Sequence, residues 1–254
     1  VALQRWYDTA MEDAMISQTT TMTSLSEPFK IIEIDSNSRM FDEVQILRRG
    51  AYGRDEAGNA DLIDGYSHHF VATSNGSPIA AVRMTRRTEG KLECEDHYPG
   101  WILDRFGNTI GAASRMCVSS QFPGTHQVVR ELVKAVWQHG IQSGIRLDLT
   151  KVRREMIPYY LRLGYLFVRK SCFLFDKWDI PCGLIAYPAN ERHEGQFSDL
   201  FCGLNMQCDL SAPEIRDRFT SCRKTAFADF DEFQRLCSPG FTHSSPKEDQ
   251  NANS

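Results

Sequence analysis

Hydrophobic and polar positions alternate in two periods along this chain, and the change from one to the other marks the elements. Leu3, Trp6, Tyr7 and Met11 recur at helical spacing, and Ser and Thr then dominate from Ser17 to Ser26, which predicts a short helix and linker over residues 1–28. Phe29 to Asp35 alternates and is rich in β-branched residues, so it predicts a strand. Ser38 is placed to cap a helix from Arg39 to about Tyr52, with Phe41, Val44, Gln45 and Leu47 near one face. After a polar stretch, two β-rich runs flank Asn75-Gly76, a strong hairpin signal. Residues 89–109 read as irregular. From Ile110 to Lys170 the pattern predicts strand, turn, helix, strand, helix, strand, with the middle strand at Ile145–Thr150. One more strand, a loop and an apolar tail follow Lys170.

The character changes after residue 190. Ser211 and Glu214 form a candidate capping box with Pro213 in the first turn, and Ile215, Phe219, Cys222, Phe230, Phe233 and Leu236 continue a helical pattern. The expected organisation is therefore a main α/β domain over 29–190, a helical appendage or flap over 191–242, and a polar, disordered tail over 243–254.

Composition narrows the class. A chain of 254 residues with 41% hydrophobic and 24% charged residues can bury a globular core. The net charge of −4 gives no general affinity for nucleic acid. No run approaches the roughly 20 apolar residues of a membrane span, and no basic-then-apolar leader opens the chain. Eight cysteines include no CxxC spacing. Reduced thiols in a cytoplasmic protein are expected, with no metal site and no bound cofactor.

Two motifs carry chemistry. Gln121, Gly124 and His126 lie in the turn between a strand and a helix that Thr125 would cap, where free N–H groups favour an anion. Tyr159-Tyr160-Leu161-Arg162-Leu163-Gly164-Tyr165 ends the next helix on a Gly suited to a left-handed cap. In this order they resemble the acyl-transfer half of the GNAT acetyltransferase superfamily. At finer grain, residues 30–190 resemble the acyl-homoserine-lactone synthases and the related N-acyl amino acid synthases. The resemblance rests on Leu47-Arg48-Arg49-Gly50-Ala51-Tyr52, on Asp61 and Asp64 before the hairpin, on Arg83 in its second strand, and on Ser114-Arg115 opening the next strand. Two positions depart from the lactone synthases: Ala112 replaces a Glu, and Tyr52 replaces a Trp.

The resemblance implies a mixed central sheet with splayed strands, flanked by helices. It also implies an enzyme that moves a long acyl chain from the phosphopantetheine thioester of acyl-carrier protein to the α-amine of an amino acid. The alternatives are a lactone synthase using S-adenosylmethionine, which Ala112 disfavours, and a silent module that binds carrier protein or lipid. The implied acyl and pantetheine site comprises Met116, Cys117, Val118, Ser119, Gln121, Gly124, Thr125, Tyr159 and Tyr160. Asp64, Arg83 and Arg115 are the candidate catalytic residues. Asp61 and Asp64 would hold the acceptor ammonium or orient the two arginines. An Arg inside an apolar strand needs a partner, here an acceptor carboxylate or an internal Asp. Glu93 and Glu95 are further acidic candidates, and of His68 and His69 at most one can face the site. Lys151, Arg153 and Arg154 form a candidate basic rim for an acidic carrier protein. His126, crowding the phosphate turn, tilts the donor toward the carrier and away from free coenzyme A.

Overall fold

A computed structural model describes residues 29–52, 60–122, 125–162, 164–175, 180–188 and 212–237. The expected N-terminal helix, Gly124 and the C-terminal tail lie outside the described residues, as do the side chains of Thr125 and His126.

The first strand, β1 (Lys30–Ile34), leads into α1 (Arg39–Tyr52). Ser38 caps the helix as expected: its Oγ accepts the Met40 N–H at 3.3 Å. A 3-10 turn over Leu62–Tyr66 precedes the hairpin of β2 (His68–Ser74) and β3 (Ser77–Arg86). Its two-residue loop puts Asn75 at φ 50° and Gly76 at φ 82°, the paired left-handed turn that an Asn-Gly sequence favours. The segment read as irregular holds α2 (Gly100–Phe106), which buries Ile102 and Phe106. Next come β4 (Ile110–Val118), α3 (Thr125–Gln142), β5 (Leu147–Arg153) and α4 (Ile157–Arg162). The strands β6 (Leu166–Val168), β7 (Phe173–Phe175) and β8 (Ile180–Pro188) follow, then α5 (Ala212–Arg218), β9 (Phe219–Thr220) and α6 (Arg223–Cys237).

Among the described residues, one nine-stranded sheet runs β1-β2-β3-β4-β5-β8-β6-β9, with β7 beside β8. Every pairing is antiparallel except β4 with β5. The run read as an apolar tail is β8, inserted between β5 and β6. Periodicity cannot separate such a tail from a strand buried on both faces. The region after residue 190 contributes to the sheet through β9, and its Ala226 and Phe230 are buried beside Phe167 and Ile185.

The faces are distinct. Helix α1 and the 3-10 turn cover one side, where Phe41 and Val44 pack on Val71, Ala81 and Cys117. Helix α3 covers the other, where Val128, Leu132 and Val136 pack on Phe70, Ala72 and Val82. Gly183 on β8 has no room for a side chain: a Cβ there would lie 2.6 Å from the Phe167 ring and 2.9 Å from that of Phe230. Gly183→Ala is therefore expected to cost about 1–3 kcal/mol through overpacking, read as a lower urea midpoint. An unchanged midpoint would show that α6 yields freely.

Candidate functional site

The site begins where the central strands part. β4 and β5 pair at only two positions, Ile110 with Leu147 and Gly111 with Asp148. Two side chains then replace the ladder. Asp148 Oδ1 accepts the Ala113 N–H at 2.8 Å, and Thr150 Oγ1 donates to the Ala113 carbonyl at 2.7 Å. From Ser114 to Val118, β4 has no partner in β5. That stretch has no strand beside it on the β5 side, and a strand edge of this kind can take a further extended partner.

A bulge sharpens the opening. Register against β3 slips by one between Ala81–Cys117 and Arg83–Ser114, and Arg115 sits at φ 56°. The extra residue brings Ser114, Arg115 and Cys117 to one face. The Ser114 Oγ accepts from Arg83 Nε at 2.9 Å, and Cys117 packs beneath α1. Met116 and Val118 turn to the opposite face, where they pack against the α3 and α4 side. The Met116 carbonyl accepts the Tyr52 hydroxyl, so α1 reaches the opened edge through its last residue.

Beside the opening lies a buried ionic cluster. The Asp61 side chain caps the 3-10 turn and forms a reciprocal capping box with Asp64. Asp64 Oδ1 accepts from Arg48 at 2.8 Å and from Arg83 at 3.2 Å, while Oδ2 accepts the Asp61 N–H. Arg83 also bonds Asp61 at 2.6 Å, and Arg115 bonds the other Asp61 oxygen at 2.8 Å. Glu93 enters from the loop after β3, 2.7 Å from Lys151 Nζ, 3.3 Å from Arg83 and 3.5 Å from Arg115. His69 completes the cluster, touching Arg48 at 3.1 Å and the Asp64 carbonyl at 3.2 Å.

Electrostatics follow from this packing. Burial works to raise Asp64 and Glu93, but their cations win. Arg48 and Arg83 hold Asp64 below its ordinary range. Lys151, Arg83 and Arg115 bring Glu93 down to about 2. Burial lowers His69 to about 4, so its ring is neutral at physiological pH. Asp148 is the opposite case. Burial raises it to about 6, and only the Ala113 N–H and the Tyr165 hydroxyl oppose the shift.

The placement corrects several expectations. Asp64 is 2% exposed and Arg83 is fully enclosed, so both are held inside the cluster and do not face solvent. Cys117 belongs to the core under α1 and does not line the opening. Lys151 is no rim residue: it turns inward to Glu93 and lies over the Phe175 ring. Arg153 and Arg154 stay at the surface, paired with Glu155 and Asp231, each at 3.0 Å. Of the histidines, His69 joins the cluster and His68 points to the other face. Glu95 pairs with Arg87 instead, at 3.1 Å. Ser119 and Gln121 form the turn after β4, with the Gln121 N–H on Ser119 Oγ at 3.3 Å.

Tyr159 is buried in the core, and Tyr160 is partly buried beside it, its ring 5.5 Å from those of Tyr159 and Tyr165. Burial and then Asp148 push the Tyr160 hydroxyl up to about 12, and the same hydroxyl bears on Tyr52.

Sequence reading missed Arg48, Asp148 and Tyr165 as members of the site. Arg48 had a signal: with Phe41, Val44 and Gln45 it completes the buried stripe of α1 at helical spacing. Asp148 stands among Leu147, Leu149 and Val152, an acid in an otherwise apolar strand. Tyr165 donates to Asp148 Oδ2 at 3.0 Å and is reached by the Trp137 indole at 3.4 Å.

Among the described residues, a mixed sheet whose parallel pair parts after two residue pairs, flanked by helices on both faces, is the α/β architecture that the GNAT resemblance implied. The fold is shared with FeeM, an N-acyl amino acid synthase from uncultured soil microbes. The TM-score is 0.52 at 13% identity, over 63% of this chain and 92% of that one. It is shared equally with the AHL synthase LasI, with a TM-score of 0.52 at 14% identity over 73% of this chain and all of the other. The sequence-level resemblance to these two kinds of synthase is thus met at the level of fold. No protein-family model and no curated protein sequence matches the chain. No helix among the described residues is long and apolar enough to cross a membrane.

Proposed function

We propose that this protein is an N-acyltransferase that moves a long-chain acyl group from an acyl-carrier-protein thioester to the α-amine of an amino acid. One observation carries the reading: from Ser114 to Val118 β4 no longer pairs with β5, and beyond the last pair Asp148 and Thr150 take the ladder's place. A phosphopantetheine arm carries two amides and pairs with such an edge as a strand would. Met116 and Val118 offer apolar surface for the acyl chain on the α3 side. On the other side, Asp61 suits an ammonium, and Arg115 with Lys151 suits a carboxylate. The amine, as its neutral form, bonds through nitrogen to the thioester carbon and the C–S bond breaks; the nitrogen gives up one proton to water and the leaving thiolate takes one up, so amide and thiol are the products. Tyr160, whose hydroxyl burial pushes up to about 12 so that it keeps its proton at neutral pH, is the candidate donor in this reading. No bound cofactor enters this reading.

Glu93 favours a second reading, the lactone synthase. It brings to the arginines a carboxylate that Ala112 lacks. Incubation with acyl-carrier protein, mixed amino acids and S-adenosylmethionine, followed by mass spectrometry, separates the two. An N-acyl amino acid supports the first reading and an acyl-homoserine lactone the second. No acylated product under any of these conditions would leave a binding module.

The donor is tested separately. Arg153→Glu with Arg154→Glu is expected to lower kcat/KM for acyl-carrier protein about tenfold at low salt, with added salt weakening the wild type in the same direction. Efficient, salt-insensitive use of acyl-coenzyme A by both proteins would remove the carrier from the reading.

A further inference from the structure

On the sheet face opposite the ionic cluster, three elements bring metal-ligating side chains together. Glu33 projects from β1, His68 from the start of β2 and His139 from the last turn of α3. One ligand atom from each lies within 4.8 Å of the others. His68 Nδ1 is 2.6 Å from Glu33 Oε1, and His139 Nδ1 is 3.4 Å from Glu33 Oε2. The two imidazole rings are 4.3 Å apart. None of the three takes part in the proposed acyl transfer.

We propose that Glu33, His68 and His139 form a zinc-binding site that clasps β1, β2 and the end of α3, with Glu89 orienting His68. Two imidazoles and one carboxylate are a borderline donor set that suits zinc, whereas calcium and magnesium require oxygen ligands. Atoms bound tetrahedrally to zinc at roughly 2.0–2.1 Å lie about 3.4 Å apart. His139 and Glu33 already stand at that separation. His68 must draw back from Glu33 by less than about 1 Å to match it, a small rotation for an exposed glutamate side chain.

A second observation points the same way. The other ring nitrogen of His68, Nε2, lies 3.0 Å from Glu89 Oε1. That carboxylate–imidazole contact orients metal-binding histidines and fixes which nitrogen is bare. Glu89 is in turn held by Arg86. Glu33 is exposed and keeps a path for the ion open.

The full chain, stripped with a chelator, is titrated with zinc chloride by calorimetry and by thermal unfolding. One equivalent should bind and raise the melting temperature, and chelator should reverse the shift. His68→Ala and His139→Ala should each weaken binding by 100-fold or more, and Glu89→Gln by about tenfold. The eight cysteines could take zinc elsewhere. Binding that survives both histidine substitutions overturns the proposal, as does an absence of binding to the wild type. Cobalt(II) loaded on the wild type gives a check independent of variant folding. Visible d–d bands without a thiolate charge-transfer band support the histidine and carboxylate ligands, whereas a thiolate band overturns them.

Discussion

Replacing Arg83 with alanine is expected to cost about 3–5 kcal/mol of folding stability, the usual effect of removing one partner from a buried ion pair. Arg83 is enclosed completely and touches Asp61, Asp64, Glu93 and the Ser114 hydroxyl. Its loss leaves Glu93 with Lys151 and Arg115, and leaves Asp64 with Arg48 alone among the cations. The carboxylates then remain desolvated with less charge to offset that cost. Arg83→Lys retains the charge but not the fork that spans these four partners, so it should recover only part of the loss. Urea unfolding of the two variants against the wild type measures both effects. A loss below about 1 kcal/mol for Arg83→Ala would mean that water enters and the cluster is not closed. Arg115→Ala should be milder in stability, because Arg115 lies at the opened edge, and more damaging in acyl transfer.

Asp148→Asn should reveal an acid sensitivity that the wild type conceals. His69 binds a proton at about 4 in the folded protein against an ordinary 6.5. As pH falls from 6.5 to 4, the unfolded chain takes up a proton that the folded one refuses. Stability is lost over that window, by on the order of 3 kcal/mol. Asp148 binds a proton at about 6 when folded against an ordinary 3.8. As pH falls from 6 to 3.8, the folded form protonates first, and stability is gained by an amount of the same order, about 2–3 kcal/mol. The two nearly cancel in the wild type. Asparagine keeps an oxygen for the Ala113 N–H and removes the titration, so the variant should lose about 2–3 kcal/mol across the window where the wild type stays nearly level. Both proteins should then weaken further below pH 4.5, where Glu93, held at about 2, begins to matter. Urea midpoints across this range decide the point. Parallel curves for the two proteins would show that Asp148 does not titrate in the window.

Much of the fold follows from local pattern. The alternation in β1, the Ser38 cap, the stripe of α1 and the Asn75-Gly76 turn are each set by neighbours within one or two turns of chain, and the structure keeps all of them. The elements that were misread have ambiguous local signals. Helix α2 has only seven residues, and β8 is an apolar run whose strand identity comes from the two strands it lies between.

The sequence by itself determined the order of elements, the apolar faces and the presence of arginines in strands that require partners. Tertiary structure alone decided which partners those were. Asp61, Asp64 and Glu93 reach Arg83 and Arg115 from a turn and a loop, Lys151 meets Glu93 from a third strand, and no spacing along the chain encodes such distances. The bulge at Arg115 turned Cys117 into the core, because one inserted residue reverses the face of every side chain beyond it. Lys151 turned inward because the strands part beside it and Glu93 fills the gap. Glu33, His68 and His139 lie far apart in sequence and meet only because β1 pairs with β2 and α3 crosses both.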